Sequence, residues 1–217
     1  MKTILPLPGL SLIIALVLSI AAPASAQILY ENGPINGTTD AWTINEGFVV
    51  GDSFSISTGT STLTGLSFGA WLFPGDVLES VEVIVSQEFL GGTIYFDQVV
   101  PFTGSGCSTN QDGFNVCTET GAFNGPTLAN GTYWVNLANA IVNDGDPVYW
   151  DENSGVGCHS FGCPSQSLET GGSVPSESFS ILGTSSGTGS VPEPSSLVLF
   201  AGGFLAVGGV LRRKLMP

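Results

Sequence analysis

Ser53-Phe54-Ser55-Ile56-Ser57 and Val81-Glu82-Val83-Ile84-Val85-Ser86 decide the fold. In the first stretch polar and apolar residues alternate, which puts Phe54 and Ile56 on one face of an extended chain. In the second, Val81, Val83 and Val85 share a face, opposite Glu82, Ile84 and Ser86. Tyr133, Val135 and Leu137 repeat the pattern, with Trp134 on the other face beside Asn136, and Phe179 and Ile181 repeat it again. A period of two in short β-branched and aromatic runs predicts strands. Working outward, further strands are expected at 28–31, 42–44, 48–50, 63–73, 93–100, 113–117 and 147–150.

Turn chemistry separates these runs: Asn32-Gly33-Pro34, Asn36-Gly37, Pro74-Gly75-Asp76, Gly91-Gly92, Asn130-Gly131 and Asp144-Gly145-Asp146. Each supplies the positive or fixed φ of a tight turn. No amphipathic helix and no fixed-period repeat interrupts the pattern. About ten strands at this spacing predict an all-β fold, a jelly-roll-like β-sandwich spanning residues 27–182. A Ser/Gly/Thr stretch at 183–190 reads as a flexible linker to a C-terminal hydrophobic helix.

The two ends read as targeting segments. Lys2, an apolar stretch from Leu10 to Ile20, and Ala24-Ser25-Ala26 have the three parts of a secretory signal peptide, residues 1–26, with cleavage expected after Ala26. At the other end, residues 191–217 hold Val191-Pro192-Glu193-Pro194, an apolar run from Leu197 to Leu211 and the basic cluster Arg212-Arg213-Lys214. An apolar helix followed by positive charge is a stop-transfer arrangement that keeps the body outside the inner membrane. The run is short and carries Gly202, Gly203, Gly208 and Gly209, weak for a permanent span.

This tail resembles the PEP-CTERM sorting signal of Gram-negative bacteria. The resemblance implies that an integral-membrane cysteine transpeptidase, the exosortase, removes the tail and passes the protein to the cell surface or the exopolysaccharide. Insertion in the inner membrane is then transient. The stretch from Phe68 to Asp76, Gly131-Thr132-Tyr133-Trp134, the stretch from Gly145 to Gly155, and Ser176-Glu177-Ser178-Phe179 resemble a set of PEP-CTERM ectodomains with no assigned activity.

The four basic residues of the chain, Lys2, Arg212, Arg213 and Lys214, lie in the end segments. Residues 27–190 therefore hold no Lys or Arg, but seventeen of the eighteen Asp and Glu, the other being Glu193. A surface with one sign of charge repels nucleic acid and anionic membranes, and it attracts cations. Nucleic-acid binding is excluded.

Cys107, Cys117, Cys158 and Cys163 fall in the exported body, where an even count reads as disulfides. Three pairings are possible, and proximity favours Cys107–Cys117 with Cys158–Cys163. The rival is a zinc site of thiolates with His159, for which Cys107 and Cys117 are too widely spaced.

Asp144-Gly145-Asp146 and Asp151-Glu152-Asn153 form the densest polar cluster. Asp144, Asp146 and Asp151 are the candidate Ca²⁺ ligands, because hard cations take several carboxylate oxygens. The full EF-hand spacing is missing, and the bland reading is a hairpin turn with a solvated acidic loop. Trp42, Trp71, Trp134, Tyr149 and Trp150 are either core or a platform for sugar rings. Asp151 and Glu152 are the pair a glycosidase would need, but neighbours on a strand point to opposite faces. His159, the only imidazole, reads as a loop residue. The expectation is a non-enzymatic structural protein of the cell surface or exopolysaccharide, with no cofactor unless Ca²⁺. The alternative is an extracellular carbohydrate-binding module, with or without dependence on Ca²⁺.

Overall fold

The computed structural model describes residues 26–57, 59–153 and 165–186. Among them are fourteen strands and no helix. In chain order these are β1 (Gln27–Glu31), β2 (Ala41–Thr43), β3 (Val49–Ile56), β4 (Ser61–Leu72), β5 (Leu78–Glu88), β6 (Gly91–Pro101), β7 (Thr103–Thr109), β8 (Asn115–Ala122), β9 (Thr127–Leu128), β10 (Gly131–Val142), β11 (Tyr149–Asp151), β12 (Gln166–Ser167), β13 (Gly172–Ser173) and β14 (Phe179–Ser185). The count exceeds the ten expected by four: β9, β12 and β13 have two residues each and carry no periodicity, and β7 is exposed throughout and shows no alternation. Two runs expected as separate strands, 48–50 and 53–57, are the single strand β3.

The strands form two antiparallel sheets. One runs β1-β14-β4-β11-β2, with β8 and β9 also paired to β4 and β7 paired to β8. The other runs β13-β12-β3-β10-β5-β6. Their inner faces share one apolar core, a sandwich-like arrangement. The alternating residues supply it as expected: Phe54 and Ile56, Val81, Val83 and Val85, Val135 and Leu137, and Phe179 and Ile181 are all buried there.

Two bulges keep long strands facing the core. Between Leu63 and Gly65 the pairing of β4 with β14 slips by a residue, so the inward positions change from Leu63 to Leu66, Phe68, Ala70 and Leu72. In β10 the register shifts after Ala138, where Asn139 adopts φ +47°, and the inward residues become Ala140 and Val142. An inserted residue swaps the two faces of everything beyond it.

β14 remains paired through Ser185, opposite Ser61, so residues 183–185 belong to the sheet and not to a linker. The compact body ends at Ser186. Ala26, after which signal-peptide cleavage is expected, opens the described part of the chain. The expected C-terminal helix, Val191-Pro192-Glu193-Pro194 and Arg212-Arg213-Lys214 fall outside the described residues, as do Cys158, Cys163 and His159.

Candidate functional site

Two acidic constellations stand out, one facing solvent and one between the sheets. The outer one joins two loops. Pro74-Gly75 makes the turn after β4, closed by the Asp76 amide donating to the Phe73 carbonyl at 3.0 Å, with Gly75 at φ +106°. The loop between β10 and β11 is fixed to this turn by the Val77 amide donating to Asn143 Oδ1 at 2.7 Å. Asn45 holds its far side, donating to the Asp146 carbonyl at 2.9 Å and accepting from the Val148 amide at 3.1 Å. Asp76, Asp144 and Asp146 then bring a carboxylate oxygen each to within 4.8 Å of one another. Burial, followed by the neighbouring Asp144 and Asp146, pushes the Asp76 carboxyl up to about 6, and its Oδ2 is buried without a hydrogen-bond partner.

Three carboxylates from two loops fit the oxygen-only donor set of a Ca²⁺ ion, with its other places open to water or hydroxyl groups. Half-buried rings stand beside them. Phe73 precedes the turn and packs on Phe114 at 4.9 Å between centroids, and Phe114 meets Tyr149 at 5.5 Å. Burial first, then Glu169, Glu46 and Asp146, raises the Tyr149 hydroxyl above its usual range, which places that ring in the acidic field. A shallow groove of about 330 Å³ runs alongside, lined by Asn45, Glu46, Asn139, Ile141 and Gly145.

Asp151, expected with Asp144 and Asp146, is elsewhere. Its Oδ1 accepts from Trp71 Nε1 at 2.6 Å and the Gly37 amide at 3.0 Å. Its Oδ2 accepts from the Asn36 amide at 3.1 Å and Ser178 Oγ at 3.0 Å. Burial still raises this carboxyl above the ordinary range, against those four bonds. Asp76 takes the place that the sequence reading gave to Asp151; Pro74-Gly75-Asp76 reads in the sequence only as a turn. Glu152, next along the chain, faces the opposite way, as alternation requires.

The inner constellation follows from that alternation. Val50, Phe54 and Ile56 are core residues of β3, so Asp52 points between the sheets and is 1% exposed. Its Oδ2 accepts from Asn32 Nδ2 at 3.0 Å, Ser176 Oγ at 2.7 Å and the Glu177 amide at 2.9 Å. Its Oδ1 accepts from the Ser53 amide at 2.6 Å. Burial outweighs these bonds and pushes Asp52 up to about 6. From the other sheet, Trp150 and Phe179 face the core, and the same parity turns Glu152 and Glu177 inward. Burial, with Asp40 and Asp151, pushes Glu152 up to about 7. Burial, with Asp52, Glu152, Asp151 and Asp40, pushes Glu177 well above the carboxylate range.

The tryptophans divide between core and surface. Trp150 is fully buried and Trp71 is 5% exposed, whereas Trp42 and Trp134 are half-buried. Cys107 and Cys117 form a disulfide joining β7 to β8, which excludes them as zinc ligands. Asn36 makes an Asx turn, its Oδ1 accepting from the Thr38 amide at 3.2 Å.

No curated protein and no solved structure matches this chain. Residues 190–214 match the PEP-CTERM protein-sorting motif. The motif marks the chain as an exported protein sorted by an exosortase.

Proposed function

We propose that the body is a non-enzymatic structural domain of the cell surface or exopolysaccharide, held transiently in the inner membrane until the exosortase removes its tail. The sorting motif at 190–214 is the observation that carries this reading. The resemblance read from the sequence, to PEP-CTERM ectodomains without assigned activity, agrees with it. So does the division of Asp151 and Glu152 between opposite faces, which keeps that pair from flanking a single bond. The test is the intact mass of the protein recovered from its native cell surface. A product beginning at Gln27 and ending near Pro194 supports the reading; one retaining Arg212-Arg213-Lys214 overturns its sorting half. Polysaccharide hydrolysis abolished by Glu152→Gln overturns its non-enzymatic half.

A second reading, a Ca²⁺-dependent carbohydrate-binding module, rests on Phe73, Phe114 and Tyr149 beside Asp76, Asp144 and Asp146. Apolar ring faces stack on sugars, and a cation held by three carboxylates retains sites for sugar hydroxyls. Binding to neutral and acidic polysaccharides, lost with EDTA and in Tyr149→Ala, is the expected outcome. Silence across such a panel rejects it.

A further inference from the structure

Glu152 and Glu177 oppose one another across an isolated antiparallel bridge. The bonds on either side run from the Asn153 amide to the Ser176 carbonyl at 2.9 Å and from the Ser178 amide to the Asp151 carbonyl at 2.8 Å. The two glutamates are therefore a non-hydrogen-bonded pair, the register in which facing side chains stand closest. Glu152 is 4% exposed and Glu177 0%. Both Oε1 and Oε2 of Glu177 are buried with no hydrogen-bond partner.

Like charges opposed in this register repel, and a buried carboxylate without a counter-charge is costly. Asp52, the nearest acid from the facing sheet, cannot relieve them. It is saturated by its own four donors, one of which is the Glu177 amide. It fixes the Glu177 backbone and leaves the Glu177 carboxyl uncommitted. Residues 27–190 contain no Lys or Arg to supply positive charge. Among the described residues no cationic side chain is available to the pair, which leaves a proton or a bound cation to neutralise it.

We propose that Glu152 and Glu177 are a binding site for a hard divalent cation, Ca²⁺, held between the two sheets. Two glutamates supply up to four oxygen donors without nitrogen or sulfur, the chemistry that selects Ca²⁺ over softer ions. With so little of Glu152 reaching solvent, the ion is taken up as the chain folds and stabilises the folded state. This site shares no ligand with Asp76, Asp144 and Asp146, and it stands whether or not the body binds carbohydrate.

Thermal unfolding of the exported chain, stripped with EDTA and then titrated with CaCl₂ at neutral pH, tests the assignment. The wild type and Asp144→Asn should both gain on the order of 5–10 °C at about a hundred times the Kd. Glu177→Gln, nearly the same shape without the charge, should gain nothing once Asp144→Asn is added to it. A shift that survives in Glu177→Gln but vanishes in Asp144→Asn overturns the proposal and moves the ion to the outer loops. No shift in the wild type, with Glu177→Gln as stable or more so, also overturns it and assigns a shared proton. Should Glu177→Gln fail to fold, terbium luminescence replaces it. Trp150 lies two residues from Glu152 on the same face and can sensitise a bound lanthanide. Emission displaced by Ca²⁺ in both wild type and Asp144→Asn supports the site, and its absence from Asp144→Asn rejects it.

Discussion

The indole Nε1 of Trp71 donates to Asp151 Oδ1 at 2.6 Å, across the pairing of β4 with β11. The same carboxylate binds the Asn36 and Gly37 amides and Ser178 Oγ. One side chain thus joins the segment before β2, two strands and the lead-in to β14. Asp151→Ala removes the acceptor that four donors share and should cost about 3–5 kcal/mol in chemical denaturation. Trp71→Phe removes only one of them and should cost less, about 1–2 kcal/mol. A double-mutant cycle that finds no coupling between the two positions would contradict this account.

Glu119 gives the body a pH dependence. Its partner in register, Phe68, faces the core, and Glu119 is 1% exposed with Oε2 unpartnered. Burial pushes its carboxyl up to about 7. Below about 4.5 the group is protonated in both folded and unfolded chains and has no effect. As pH rises from there through 7 the unfolded chain loses its proton first, so stability falls and then levels off. Glu119→Gln should remove its share of the decline, which Asp52, Glu152 and Glu177 also contribute to, and gain on the order of 2 kcal/mol at pH 8. Parallel pH profiles for the variant and the wild type would show that the group is not a source.

The disulfide between Cys107 and Cys117 closes a short loop, with ten positions separating the cysteines. Every residue of β7 is exposed, and the strand pairs only with β8. Cys107→Ser with Cys117→Ser should cost about 2–3 kcal/mol. Amide exchange should quicken across β7 while β4 and β10 stay protected, a local loss that hydrogen-exchange mass spectrometry resolves.

Phe179 is fully buried and packs its ring against Trp150 at 5.6 Å and Tyr30 at 5.6 Å. Phe179→Ala should cost about 3–5 kcal/mol, while Phe179→Leu should cost considerably less. Equal losses in the two would mean that the site collapses around either replacement.

The strands were readable where one face is core and the other solvent, as in Phe54 with Ile56 and Val81 through Val85. The reading fell short where that contrast disappears. β7 is exposed on both faces and shows no alternation, and the bulges near Thr64 and at Asn139 reverse it midway along a strand. Asp52 was legible in principle, as the polar member of the inward series Val50, Asp52, Phe54 and Ile56. Its partners were not, because Ser176 and Glu177 stand more than 120 residues away in the chain. The same limit applies to the metal candidates. Asp144 and Asp146 are neighbours in sequence, whereas Asp76 joins them only through the closing of two loops.

β14 lies between β1 and β4, tying the beginning of the body to its last strand. The register runs from Gln27 opposite Gly183 to Glu31 opposite Ser180. An exported chain emerging in sequence therefore waits for nearly its whole body before the first strand finds its partner. The sheet becomes complete at Ser185, five residues before the sorting motif begins at 190. Closure of the fold and emergence of the sorting motif are adjacent events on one clock, so a chain that presents the motif to its exosortase has only just become able to fold.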